Sequence, residues 1–424
     1  VGGRLADYTE FDRKNYFYPD LPKGYQLSQF EYPLVSGGEL LGFAITRIHL
    51  EEDTASSIHD ENTNATTIDF NRAGVPLMEL VTEPVIHSAQ EAGNFARELQ
   101  LVLKYLGVSG ANMEKGEMRV EANISVGKNG QLGTKVEIKN LNSFRVMERA
   151  VAYEIKRQIK LLERNEKVVQ ETLGWDESKQ ATFPQRVKEG SADYRYFPDP
   201  DLPSLMLSEI PEFNRDKLVR DTPEMPSGRR LRYISLGIKD EDAELFVRDR
   251  KLGDFFDEVT SLLGKANLQA IKLASNYIIN DLIKIISSSA KAMKDRRDME
   301  QRDTDYQAEI PISAHNFRKI IEMISSNRIS SRGAKDLIGL TASSGIDPEN
   351  TATEKKLFID TVSPDLGPTI DDVLLKNGSV VGDLKTGKTV ALEYLVGQAM
   401  KATRGGADPN AIRSLILNKV SNQI

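Results

Sequence analysis

Arg119-Val-Glu-Ala-Asn-Ile-Ser-Val126 alternates strictly, setting Val120, Ala122, Ile124 and Val126 on one face. A period of two is the signature of a half-buried strand. Thr134, Val136 and Ile138 repeat the pattern against Lys135, Glu137 and Lys139. Between them lies Gly127-Lys128-Asn129-Gly130, whose Asn-Gly pair tolerates the positive backbone angles of a tight turn. The stretch reads as a hairpin with one apolar face and one face of alternating charge. Asn140-Leu-Asn-Ser143 then offers caps for a helix from Phe144. Phe144, Met147, Val151, Ile155, Ile159 and Leu162 recur at helical spacing, and the helix is expected to end before Asn165. A hairpin running into a long amphipathic helix makes the first part of the chain mixed α and β.

Upstream, residues 88–106 predict another helix, with Ala92, Phe95, Leu99, Val102 and Leu103 on its stripe. Downstream, Pro198, Pro200, Pro203, Pro211, Pro223 and Pro226 punctuate the chain, and a domain boundary is placed near residue 222. Strand signals then fade. Helices are expected over 240–263, 267–288, 313–325, 333–340 and 352–362, with a second boundary in 341–351. The expected organisation is α+β: a mixed domain over 1–222, a helical domain over 223–345, and a small helical tail over 346–424. A Gly-containing connector is expected in the tail at 377–387.

The 424 residues exceed one ordinary core, which agrees with several domains. No apolar run approaches the ~20 residues needed to span a bilayer, and no membrane partner is expected. The opening Val1-Gly-Gly-Arg-Leu5 lacks an initiator Met and is no secretory signal, so the sequence reads as a fragment or a trimmed chain. The absence of Cys excludes disulfides, thiolate nucleophiles and Cys-ligated zinc within these residues. Four histidines (His49, His59, His87, His315) exclude a His-rich metal site. Magnesium held by carboxylates stays open, since hard cations prefer oxygen. The net charge of −7 argues against indiscriminate nucleic-acid binding, so any RNA contact needs a local basic face.

Acidic side chains gather in three places: Glu51-Glu52-Asp53, Glu79 with Glu83, and Glu114, Glu117 and Glu121. Carboxylates from separate segments can converge on magnesium, or they can form a solvated surface. In Asn71-Arg72-Ala-Gly74-Val-Pro76-Leu-Met-Glu79, Arg72 can hold a phosphate or carboxylate bidentately, or pair with Glu79. Phe11-Asp-Arg-Lys-Asn-Tyr-Phe-Tyr-Pro-Asp20 and Asp193-Tyr-Arg-Tyr-Phe-Pro198 interleave aromatics with bases, suited to stacking a base or to a buried aromatic strand. Gly382-Asp-Leu-Lys-Thr-Gly387-Lys-Thr389 fits the phosphate-loop spacing. Ser379-Val-Val381 is too short for the buried strand that motif needs, so a basic loop before a helix is expected instead. From Gly382 onward six bases face three acids, an excess compatible with an RNA backbone contact or with a solvated helix pair.

Seven segments, in order, carry a resemblance. Besides the two aromatic ones they are Gly24-Tyr-Gln-Leu-Ser-Gln-Phe30, His49-Leu-Glu-Glu-Asp53, Ile68-Asp-Phe-Asn-Arg-Ala-Gly-Val-Pro-Leu-Met-Glu79, Lys139-Asn-Leu-Asn-Ser-Phe144 and Leu395-Val-Gly-Gln-Ala-Met-Lys401. Together they resemble the GatB/GatE family of heterotrimeric glutamyl/aspartyl-tRNA amidotransferase components, through essentially the whole chain. The resemblance implies a cradle-shaped catalytic domain, a helical domain and a tail contacting the outer corner of tRNA. It implies ATP and Mg2+ as cofactors, and as partners an amidase subunit, a further small subunit and misacylated tRNA. ATP would phosphorylate the side-chain carboxyl of Glu-tRNA(Gln) or Asp-tRNA(Asn). Ammonia channelled from the amidase would then displace phosphate. The order is chemically sensible, because a carboxylate is a poor acyl donor and an acyl phosphate a good one.

By position in the motifs, the resemblance makes Glu52 and Glu79 the catalytic, metal-binding carboxylates and sets Lys14, Tyr16 and Arg72 at the site and channel mouth. It assigns Lys135, Lys139 and Asn140 to the nucleotide, and Lys385, Lys388, Lys401 and Arg404 to tRNA. On an uninterrupted strand Glu51, not Glu52, would share a face with His49, so choosing Glu52 requires the strand to end before it. Family members carry a further Ile-Gly-Leu-Glu-Val-His-like strand, with a Glu and a His as ligands, ahead of the Phe11 segment; the sequence in hand starts beyond it. The alternatives are a tRNA-binding scaffold without catalysis and a nucleotide hydrolase using residues 382–389. The expected compartment is the bacterial cytoplasm, with an organelle matrix as the alternative.

Overall fold

The computed structural model describes residues 1–60, 63–128, 130–187, 194–289, 309–359, 366–403, 407 and 409–421. They form two compact units, Val1–Pro226 and Ser227–Ile424. In the first, the hairpin forms from Val120–Ile124 and Val136–Leu141, with Ala122 opposite Ile138 and Ile124 opposite Val136. Glu171–Asp176 adds in parallel and Ala181–Val187 antiparallel, giving four strands.

Two capped helices pack on each other, and the second lies on this sheet. Ser88 Oγ accepts the Glu91 N–H at the start of Ala89–Leu106, and Ser143 Oγ accepts the Val146 N–H at the start of Phe144–Glu163. Each cap satisfies an otherwise orphaned donor. Ile124, Ile138, Leu141, Phe144, Met147, Ala150 and Val151 meet in one core with Ala96 and Met113. The stripes follow expectation at Phe95, Phe144, Met147 and Val151 and depart from it elsewhere. On the second helix the buried positions after Val151 are Glu154 and Gln158, while Ile159 is exposed. Gln158 crosses to the end of the hairpin, donating to Ile124 O and accepting from Val126 N, and Arg157 neutralises Glu154 through two hydrogen bonds. Satisfied polar groups can thus replace apolar ones in a core. On the first helix Ala96, Leu101 and Tyr105 are buried, and Leu99, Val102 and Leu103 only partly.

A second sheet centres on the ten-residue strand Phe43–Glu52, flanked by Pro76–Thr82 and by Val35–Ser36. A third is a hairpin of Asp12–Asn15 and Tyr25–Ser28, on whose edge Phe197–Pro198 pairs with Arg13 and Asp12. The two aromatic segments are therefore neighbours in space.

The regular elements of the second unit are helices among its described residues, with one β-bridge between Ile329 and Phe358. The expected helix over 240–263 is two, Asp240–Arg248 and Arg250–Leu263, because Asp249 leaves helical geometry and caps the second through the Leu252 N–H. Residues 268–289 run through a π-helical turn at Ile278–Leu282. Ala314–Ser325 and Ser331–Ser344 follow. In place of a helix over 352–362 there is Pro348–Glu354, started by the Asp347 cap with proline in its first turn; 355–359 are not helical, and 360–362 lie outside the described residues. Leu366–Lys376, Gly378–Lys385, Thr389–Ala402 and Pro409–Ser421 pack around Ile370, Leu395, Ile412 and Ile416. Most of the expected connector at 377–387 is thus the helix Gly378–Lys385. Among the described residues no helix is long and apolar enough to cross a membrane.

Candidate active site

The strand Phe43–Glu52 does not end before Glu52. Its alternation buries His49 and Glu51 together, while Leu50 and Glu52 are less covered. Across the ladder Glu79 stands opposite His49, and Leu77 opposite Glu51. One ring nitrogen of His49 and one carboxylate oxygen each of Glu51 and Glu79 lie within 4.8 Å of one another. Glu52 does not join them. It accepts hydrogen bonds from Lys23 Nζ at 2.8 Å and from the Leu27 backbone N–H at 3.0 Å, tying the Tyr25–Ser28 strand to Phe43–Glu52. The grouping with Glu79 expected of Glu52 is made by Glu51, because the strand continues.

Glu51 is held from four sides. Ser28 Oγ donates at 2.8 Å and Gln26 Nε2 at 3.1 Å, with Lys14 Nζ and His49 Nε2 each at 3.3 Å. Burial drives this carboxyl upward, yet the His49 hydrogen bond, the Lys14 charge and the Ser28 hydroxyl outweigh it and hold it at about 2. Glu51 is an anion at any working pH. With the His49 proton on Nε2 toward Glu51, Nδ1 presents its lone pair; this atom is buried and has no partner among the described residues. A buried imidazole with one unsatisfied nitrogen, grouped with two carboxylates, fits a divalent cation.

Lys14 and Tyr16 are brought to this cluster. Lys14 Nζ lies 5.2 Å from the Tyr194 ring centre, within cation–π range. The Tyr16 hydroxyl donates to Gln26 Oε1 at 2.9 Å, so a chain of hydrogen bonds runs Tyr16–Gln26–Glu51. Burial first, and then the negative charge of Glu51, pushes the Tyr16 and Tyr196 phenols well above their ordinary value. Both stay neutral donors. Tyr196 also stacks on Phe30, ring centres 4.3 Å apart. Gln26, Ser28, Tyr194 and Tyr196 all lie in the motif segments, but nothing in their local spacing singles them out for this cluster.

Arg72 does not pair with Glu79. Its guanidinium grips the Asp53 carboxylate, which Arg119 Nη2 also approaches at 3.4 Å. Lys139 pairs with Glu121 at 3.0 Å; burial would lower its pKa, but Glu121 and Glu137 raise it. Lys135 and Asn140 are exposed, and Asn140 has a left-handed backbone (φ 61°). In the tail, Lys385 ends the Gly378–Lys385 helix, Lys388 pairs with Asp383 at 2.8 Å, and Lys401 lies on Thr389–Ala402. Arg404 lies outside the described residues. Of the loop expected before a helix, residues 382–385 end a preceding helix, and 386–388 form the turn that leads into Thr389–Ala402. Ser379–Val381 are in that helix, so no strand leads into Gly382 and the phosphate-loop reading is removed.

Both units match known families. Residues 1–210 match the family described as the GatB/GatE catalytic domain, and residues 254–420 the GatB domain. The chain belongs to the GatB/GatE family. Among its relatives, a protein of Carboxydothermus hydrogenoformans is 39% identical over 432 residues, covering 98% of this chain and 85% of the relative. One of Bordetella avium is 39% identical over 440 residues, covering 99% and 86%, and one of Prochlorococcus marinus is 38% identical over 439, covering 99% and 85%. All three are named as the B component of aspartyl/glutamyl-tRNA(Asn/Gln) amidotransferase.

Proposed function

We propose that the chain is the tRNA-handling subunit of a glutamine-dependent carbon–nitrogen ligase, acting on Glu-tRNA(Gln) or Asp-tRNA(Asn) in a complex with amidase and small subunits. The observation that supports this most is the buried His49–Glu51–Glu79 group inside the matched catalytic domain. ATP and Mg2+ supply a transferable phosphoryl group and charge neutralisation where phosphate charge develops. His49, Glu51 and Glu79 would hold the ion. Lys14, Gln26 and Ser28 keep Glu51 ionised and fixed, so the ion's seat needs no rearrangement. Tyr196, held neutral, offers a hydroxyl for orienting a carboxylate without adding charge, while the Tyr16 hydroxyl fixes Gln26. The tail lysines Lys385, Lys388 and Lys401, with Arg404, would meet the tRNA backbone. The bacterial cytoplasm, where aminoacyl-tRNA is consumed, is the proposed compartment.

Amide formation on misacylated tRNA tests the proposal, with the three subunits co-expressed and ATP, magnesium and glutamine supplied. ATP-dependent product that disappears with Glu79→Ala supports it. An assembled, tRNA-binding complex that forms no amide overturns it.

A further inference from the structure

The alternation that buries His49 and Glu51 continues to Asp53, also buried although it follows the strand's last residue. Asp53 therefore extends the row of the candidate metal ligands by one step, about 7 Å of chain. Its backbone is locked, with its N–H donating to Val75 O and its carbonyl accepting from Gly74. Its carboxylate is shared: Oδ2 takes Nε and Nη2 of Arg72, and Oδ1 faces Nη2 of Arg119 and accepts the Thr54 N–H. Two guanidiniums on one carboxylate leave a unit of positive charge. Both heads reach solvent, with side-chain exposures of 37% for Arg72 and 57% for Arg119, against 6% for Asp53. Arg72 also lies against Gly116, where an added Cβ would come 2.7 Å from its Nη1. A purely structural pair needs one arginine; a second, brought in from just before the hairpin strand, is surplus to that need.

We propose that Arg119, aligned with Arg72 by the buried Asp53, binds a phosphate oxygen of the nucleotide beside the carboxylate cluster, and that Asp53 is the positioning residue for both guanidiniums. This rests on the function proposed above for the chemistry, but its test does not. A paired guanidinium fork suits phosphate because it offers several N–H donors in a fixed plane. The planar fork, rather than charge alone, then matters.

Binding of ATP with magnesium, and of inorganic phosphate, to the full chain in its complex is measured by calorimetry for wild type, Arg119→Ala, Arg119→Lys and Asp53→Asn. Melting temperatures are taken alongside, and KM for ATP is separated from KM for tRNA. Arg119→Ala is expected to weaken both ligands about ten- to a hundredfold with melting unchanged. Arg119→Lys should recover part of the loss, and Asp53→Asn should raise KM for ATP without changing KM for tRNA. Wild-type affinity in Arg119→Ala overturns the proposal, as does a wild type that binds neither ligand. A complex that forms no amide yet binds phosphate in an Arg119-dependent way overturns the proposed function and leaves this site standing.

Discussion

Glu79 stands directly across the antiparallel ladder from His49, whereas Glu52 stands across from Pro76. Neighbouring carboxylates on one strand consequently have different work, and substitution separates them. Glu51→Gln should lower ATP-dependent amide formation roughly 10²–10³-fold, since it removes a fixed charge from the site. Glu52→Gln should stay within about tenfold and instead cost about 1 kcal/mol of stability, the worth of its bonds to Lys23 and Leu27. Rates and urea midpoints measured on both variants check the division; equal loss of rate would refute it.

Tyr16→Phe removes the donor to Gln26 and leaves the Gln26 Nε2 bond to Glu51 in place. The expected result is a drop in kcat of about tenfold with little change in melting temperature. A variant as fast as wild type would remove the Tyr16 hydroxyl from any role in the reaction.

In the helical unit, buried Arg229 bonds Asp254 at 2.7 Å and Asp257 at 2.8 Å, and Arg232 joins Asp257 at 2.7 Å. Burial pushes the Asp257 carboxyl up, but the Arg232 hydrogen bond and the Arg229 charge prevail and lower it. Folded Asp257 thus binds its proton less readily than unfolded Asp257. Its stabilisation is complete above the ordinary carboxylate range, about 4, and is lost as pH falls through the lower folded value. Asp257→Asn should flatten that acid limb in denaturant midpoints measured against pH. An unchanged slope would contradict the assignment.

Gly253 packs so tightly that a Cβ there would meet Phe246 O at 2.3 Å, with Arg229 at 3.1 Å. Gly253→Ala is expected to destabilise by about 1–3 kcal/mol through overpacking. Calorimetric melting reads the change directly.

Lys388→Ala should leave nucleotide affinity within about twofold, because the Gly382–Thr389 spacing lies on a helix and its following turn, not on a phosphate-binding loop. A large loss of ATP binding would reinstate that motif.

The parts legible in the sequence were those governed by local periodicity. The hairpin at 120–141, both capped helices and the helical second half follow from spacing and caps over contiguous residues. Where a strand stops is not such a property. Whether Glu51 or Glu52 faced His49 depended on the partner strand Pro76–Thr82 carrying the ladder through Glu52. Arg72 found Asp53, 19 residues away, because the turn at Asp69–Val75 folds back on the strand's end. Glu154 and Gln158 lay outside the expected apolar stripe, because spacing cannot show that Arg157 and the end of the hairpin would satisfy them.

The strand carrying Lys14 is finished at its outer edge by Phe197–Pro198, and Arg13 is clasped by Asp199, 186 residues later. A ribosome adding roughly 5–20 residues per second needs about 10–40 s to bridge that gap. The Lys14 strand must wait at the exit, its edge unpaired, until the last part of the first unit emerges. The newborn chain thus completes the strand edge beside the candidate site only when this unit is nearly complete, and a nascent chain arrested between residues 60 and 195 would carry His49 and Glu51 without that edge.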